Sequence, residues 1–178
     1  LGDVYKRQGQ GGASRAARGL SVLCMINTPI ARLYLHHIAE TTRYAGLRQS
    51  ARAALGELSR QEGVSLSTLL DQHPPTLGLD REGRSILDFG TRRFTVTFDA
   101  DLKPQVQDQR GRPLRALPRP GRRDVVWRAE TAWQTFRTLR TDVRILATTW
   151  ARRMERLMCH RRQLSAEAFQ GMLTHPCL

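Results

Sequence analysis

The run LDREGRSILDFGTRRFTVTFDADLKPQVQDQRG, residues 79–111, decides the fold class. Ahead of it the apolar residues recur every three or four positions; within it they recur every two. Leu87 and Phe89, then Phe94, Val96 and Phe98, and later Leu102 and Val106 fit short half-buried strands. Asp80-Arg81-Glu82-Gly83, Asp99-Ala100-Asp101 and Asp108-Gln109-Arg110-Gly111 separate them with residues that favour turns. The pattern predicts a small antiparallel β-meander over residues 79–118.

Toward the N-terminus the reading is helical over residues 20–78. Ser65 is placed to cap a short helix through Leu70, which His73-Pro74-Pro75 stops because proline biases its predecessor away from helix. Thr28-Pro29 is an N-cap followed by proline at the first helical position, where its missing N–H costs nothing. Ile30, Leu33, Tyr34, Ile38 and Tyr44 then suit one buried face and predict a helix from Pro29 to about Tyr44. Leu47, Ala51, Ala54, Leu55 and Leu58 predict a second helix, with Gly63 as its left-handed cap. So short a connection predicts a helical hairpin, the unit of HEAT-like arrays, although no second copy follows at a fixed period. Residues 9–19 (GQGGASRAARG) read as a glycine-rich linker. Residues 1–8 resemble translated sequencing adapter and are set aside.

Toward the C-terminus, Leu117-Pro118-Arg119-Pro120-Gly121 interrupts regular structure ahead of Asp124, which is expected to cap a long helix. Ala129, Trp133, Phe136, Leu139, Val143, Leu146, Trp150, Met154 and Leu157 form a continuous apolar stripe on it. Ser165 is placed to cap a last helix bearing Phe169 and Leu173. The fold class is therefore mainly helical α+β: an N-terminal helical hairpin, a β-meander, a long amphipathic helix and a short C-terminal helix. Residues 20–178 are expected to form one incomplete domain, truncated inside residues 119–178.

With 178 residues and 40% apolar side chains the chain can bury a core. The best apolar run, Leu20 to Ile26, is far too short to span a bilayer, so no membrane partner is expected. Cys24, Cys159 and Cys177 are distant and odd in number, which indicates neither a disulfide framework nor a zinc site and leaves a reducing cytoplasm as the expected location. Gly83, Gly90 and Gly111 form neither a dinucleotide fingerprint nor a P-loop, and no cofactor is expected. Adjacent His36 and His37 point about 100° apart on a helix and cannot share a metal as an i, i+4 pair could.

The net charge of +13 comes almost wholly from arginine, since Lys6 and Lys103 are the only lysines. Such a charge attracts phosphate-rich partners; it also suits an arginine-biased genome whose acidic regions lie elsewhere in the parent protein. Arg119, Arg122 and Arg123 cluster just ahead of a predicted helix, where an anion is favoured, and Arg161 and Arg162 add a second basic pair. These five are the candidate anion-binding or nucleic-acid-binding residues. Trp133 and Trp150 lie on the apolar stripe and read as core rather than as base-stacking platforms.

Several segments in order carry a family resemblance: Asn27-Thr28-Pro29-Ile30, Gly78-Leu79-Asp80, Leu87-Asp88-Phe89-Gly90-Thr91-Arg92-Arg93-Phe94, Leu117-Pro118-Arg119-Pro120, Arg153-Met154-Glu155-Arg156-Leu157-Met158-Cys159 and His175-Pro176. The chain resembles the conserved domain of unknown function in large bacterial proteins similar to the molybdate metabolism regulator, often accompanied by a WGR domain. The resemblance implies a loose regulatory context and brings no catalytic residue. The function expected is a non-catalytic scaffold or interaction module whose partners are the remaining domains of the parent protein. One alternative is nucleic-acid binding through the arginines. Another is an enzyme completed by sequence outside this chain, with Asp80 and Asp88 as its first carboxylates.

Overall fold

The computed structural model describes residues 11–71, 74–159 and 163–175. Its contacts divide the chain into two compact units, residues 1–75 and 76–178, where the sequence suggested one domain.

The first unit is helical: α1 (Gly11–Ile26), α2 (Pro29–Thr41), α3 (Ala45–Gln61) and α4 (Leu66–Asp71). Thr28 caps α2 as expected, its hydroxyl accepting from the Ala31 N–H at 3.3 Å. The helix stops three residues short of Tyr44. α3 ends in a Schellman motif: Gly63 takes φ +66°, the Val64 N–H donates to the Ser59 carbonyl at 3.0 Å and the Gly63 N–H to Arg60 at 3.2 Å. Ser65 caps α4 through the Thr68 N–H at 3.0 Å.

The glycine-rich stretch corrects the linker reading, because its backbone from Gly11 onward is the first half of α1. Ala16 and Ala17 favour helix and help to offset the cost of Gly19. Burial matters more: Leu20 is in the core with Leu35, Ala39, Ala51, Leu55, Leu58 and Leu69, and Leu23 and Cys24 pack beside it. Packing overrides propensity here. At the α1–α2 junction Asn27 adopts φ +45°, and its side-chain oxygen accepts from Arg32 Nε at 2.8 Å while Arg32 also pairs with Glu62.

The second unit carries the four-stranded antiparallel sheet β1 (Ser85–Asp88), β2 (Arg93–Phe98), β3 (Pro104–Asp108) and β4 (Pro113–Leu114), in that order across the sheet. The period-two reading holds, since Leu87, Phe89, Phe94, Val96 and Val106 fill the core with Leu117 and with Ala129, Ala132 and Phe136 of α5 (Val126–Cys159). At 34 residues α5 is about 51 Å long, and its buried side chains continue to Leu157. Ser65-like capping recurs before α6 (Ala166–Leu173), where Ser165 Oγ accepts from the Ala168 N–H at 3.1 Å. Among the described residues no helix is long and apolar enough to cross a membrane.

The three aspartate turns are copies of one five-residue frame. In Asp80–Arg84, Asp99–Lys103 and Asp108–Arg112 the aspartate carboxylate accepts from the backbone N–H two and four residues on, at 2.7–3.0 Å. The aspartate N–H donates to the fifth residue's carbonyl, and the fourth residue's N–H donates back to the aspartate carbonyl. This is a type I turn closed by a left-handed fourth residue. Gly83 and Gly111 meet that demand at φ +73° and +74°, whereas the third frame places Leu102 there at φ +59°. Leu102 thus belongs to a turn and not to a strand, as the alternation had suggested. These backbone donors hold all three carboxyls below the usual range; the largest cause in each frame is the N–H of its fifth residue.

A left-handed leucine costs about 1–2 kcal/mol, and asparagine tolerates that conformation far better. Leu102→Asn is expected to raise stability by about 0.5–1 kcal/mol, read as a higher denaturant midpoint. A lowered midpoint would mean that leucine packing outweighs the backbone strain.

Candidate functional site

The β1–β2 turn and the segment entering α5 are built against each other. Phe89 and Arg92 close a two-residue loop, Phe89 N–H to Arg92 carbonyl at 2.8 Å, with Gly90 first in the loop at φ +87°. The Phe89 carbonyl then accepts from the Val125 N–H at 3.0 Å. A Cβ on Gly90 would overlap Val125 Cγ2 and lie 2.8 Å from Val125 Cβ, so only glycine lets the strands turn this close to the helix entry.

Asp124 lies at the centre. Its carboxylate accepts from Arg92 Nε at 2.9 Å and Nη2 at 2.5 Å, from Thr91 Oγ1 at 3.2 Å and from the Gly121 N–H at 2.7 Å. The side chain is 1% exposed. Arg92's hydrogen bond, with help from the Gly121 N–H, pulls the carboxyl from its ordinary value down to about 2, and the same pairing raises the Arg92 guanidinium. The guanidinium also lies 5.6 Å from the Phe89 ring centroid and 5.3 Å from that of Phe94; the two rings meet edge to face at 5.0 Å.

This corrects the expected helix cap. Helix α5 begins at Val126, its first turn closing from the Ala129 N–H to the Val125 carbonyl, so Asp124 lies one residue too early. Its carboxylate turns back because Arg92 presents a bidentate fork there.

The candidate arginines separate. Arg122 and Arg123 are the central residues of the turn closed by the Asp124 N–H and the Gly121 carbonyl at 3.0 Å. They and Arg119 are exposed and enter no ion pair or side-chain hydrogen bond among the described residues. Asp124 does not neutralise them, because Arg92 already does so for Asp124. Arg161 and Arg162 lie outside the described residues. Arg119 also lines an open cleft of about 870 Å³ with Leu77, Pro120, Glu130, Trp133 and Asp142. In it Leu77 is strained at φ +56°, and the Trp133 indole N–H is buried without an acceptor among the described residues.

Neither carboxylate of the enzyme alternative lines that cleft. Asp80 holds the first turn frame. Asp88 accepts from the Gly90 N–H at 2.8 Å and from Arg128 Nη1 at 3.2 Å. Among the described residues no group of three or more His, Cys, Asp or Glu side chains is arranged to hold a metal.

Trp127 was missed in the sequence. It is 66% exposed in the first turn of α5, with the Arg128 guanidinium 5.2 Å from its ring centroid. The available signal was its absence from the stripe: two residues before Ala129, it falls on the opposite side of the helix.

Residues 111–178, which include the helix entry and α5, match the model of a domain of unknown function, DUF4132.

The chain is also 32% identical over 168 residues to the uncharacterized protein YehI of Escherichia coli (strain K12), a match covering 94% of this chain. It spans 14% of that relative's length. No solved structure matches. Neither the DUF4132 description nor that of YehI names an activity, a ligand or a partner.

Proposed function

We propose that this chain is a non-catalytic scaffold or interaction module of a larger bacterial protein. The observation that carries the reading is the employment of five aspartates around the sheet: Asp80, Asp99 and Asp108 hold turn frames, Asp88 holds the β1–β2 loop, and Asp124 locks that loop to the helix entry. Each of these five carboxylates is spent on a turn or on a neighbouring arginine rather than aimed at a shared reacting atom. The sequence resemblance to a domain of regulator-type proteins, often accompanied by a WGR domain, supports a loose regulatory setting, with the rest of the parent protein as the first partner. Added to the remainder of its parent in size-exclusion chromatography, the chain should co-migrate with it. Separate migration would overturn the reading of the parent's other domains as partner.

A second reading, nucleic-acid binding, is favoured by one observation: Arg119, Arg122 and Arg123 are exposed and carry uncompensated charge in a chain of net charge +13. Counterion release makes such binding steeply salt-dependent. The paired variant Arg122→Glu with Arg123→Glu is expected to weaken binding at least tenfold and to reduce the slope of log affinity against log salt by about 1 to 2. Fluorescence anisotropy over a salt series reads both. An unchanged slope would remove these arginines from the interface.

A further inference from the structure

We infer that Trp127, which follows Arg122 and Arg123 by five and four residues, is a stacking platform for an unpaired base, which makes single-stranded nucleic acid the partner of this surface. The inference rests on the nucleic-acid reading and narrows it. A tryptophan left 66% exposed is unusual on its own, since burying so large an apolar side chain is favourable. Here the ring is also held. Arg128 backs it at 5.2 Å, and that guanidinium is tethered by Asp88 Oδ2 at 3.2 Å. Asp88 is in turn fixed by accepting from the Gly90 N–H at 2.8 Å. A chain of contacts from the β1–β2 loop therefore reaches the indole, while the residue stays 66% exposed.

The phosphate-binding half comes from the adjoining turn. Arg122 and Arg123 are its two central residues, and the turn is pinned because Asp124 accepts from the Gly121 N–H at 2.7 Å. Arg123 is four residues from Trp127, so their Cα atoms lie within about 14 Å, the reach of neighbouring nucleotides on one strand. Asp124 does not oppose the phosphates, because its charge is engaged by Arg92 and its side chain is buried. Base stacking on an aromatic face beside guanidinium groups is the arrangement by which proteins hold single strands without reading sequence. A duplex keeps its bases inside the stack and offers the indole nothing. An anionic lipid surface would satisfy the arginines too, but the ring's partner would then be acyl chain, and the test separates the two.

The experiment uses the whole chain with a labelled single-stranded oligothymidylate, the duplex of the same length, and vesicles of phosphatidylcholine with phosphatidylserine. The expected result is preference for the single strand, quenching of tryptophan fluorescence on binding, and a loss of about 5- to 100-fold with Trp127→Ala. Trp127→Phe should recover most of that loss, while the salt slope stays near that of the unaltered chain in both variants. Because the ring is exposed, neither variant is expected to unfold the protein. Equal affinity for duplex and single strand, with Trp127→Ala silent, would overturn the platform and leave the arginine interface standing. Absence of binding to either nucleic acid would overturn both, and vesicle binding that depends on Trp127 would replace them with a membrane surface.

Discussion

Gly90→Ala is expected to destabilise the second unit by about 3 kcal/mol and to lower its Tm by roughly 10–20 °C. Two costs combine. At φ +87° any L side chain pays about 1–2 kcal/mol for a left-handed backbone. The new Cβ would also lie 2.8 Å from Val125 Cβ and 3.3 Å from Val125 N, and the latter is backbone that cannot rotate away. Val125 is fixed by donating to the Phe89 carbonyl, so relief would require opening the hydrogen bond that joins the sheet to the helix entry. Gly111→Ala supplies the control, since Gly111 has φ +74° but nothing within 4 Å of its would-be Cβ. That variant should cost about 1 kcal/mol, the backbone share alone. Equal losses at Gly90 and Gly111 in chemical denaturation would show that the contact with Val125 is easily relieved.

Such a contact is invisible in the sequence, and the reason is general to this chain. What was legible is local and periodic. Thr28-Pro29 announces a helix start because capping chemistry is local, and Gly63 announces a helix end for the same reason. The change of period after Leu79 announces strands, and the stripe from Ala129 to Leu157 announces the long helix. Elements of this kind gave the mainly helical α+β class. Three readings failed where a distant partner or a backbone frame decides. Helix α1 absorbs a glycine-rich run because Leu20 finds a core contributed by α2, α3 and α4. Leu102 sits left-handed because the aspartate frame imposes that geometry on whatever residue stands fourth. Repetition of the frame was the available clue: an aspartate is followed four positions on by Arg84, Lys103 or Arg112, with glycine third in two of the three intervals. Asp124 was misassigned because its partner, Arg92, lies 32 residues away.

The candidate site shows the same division. Composition pointed to arginine, and two of the arginines do share one turn. Which arginines are available to a ligand is a matter of pairing. Arg92 is spent on Asp124 and Arg128 on Asp88, while Arg119, Arg122 and Arg123 are not spent on any described acid. Charge counts cannot distinguish these groups, because every arginine contributes equally to +13.

Asp124→Ala is the second large effect expected, a loss of about 2–4 kcal/mol. Removing the carboxylate leaves the Gly121 N–H and Thr91 hydroxyl without their acceptor and strips Arg92 of its fork. The figure sits below the top of the range for buried pairs because Arg92 is 41% exposed, and water takes over part of its solvation. Asp124→Asn keeps the shape but turns one acceptor into a donor facing Arg92 or the Gly121 N–H, so it should recover little. The pH dependence follows from the direction of the shift. Asp124 titrates at about 2 in the folded chain, below its ordinary value, so its stabilisation is fully present above the ordinary carboxylate range. That stabilisation disappears as the pH falls from there through about 2. Asp80, Asp99 and Asp108 are shifted in the same direction, so acid weakens the unaltered protein for several reasons at once. Comparison with Asp124→Asn isolates the one carboxylate: the stability gap between the two proteins should be constant near neutral pH and narrow in acid. A gap that stays constant down to pH about 2 would assign the effect to shape and packing around Asp124 rather than to its charge.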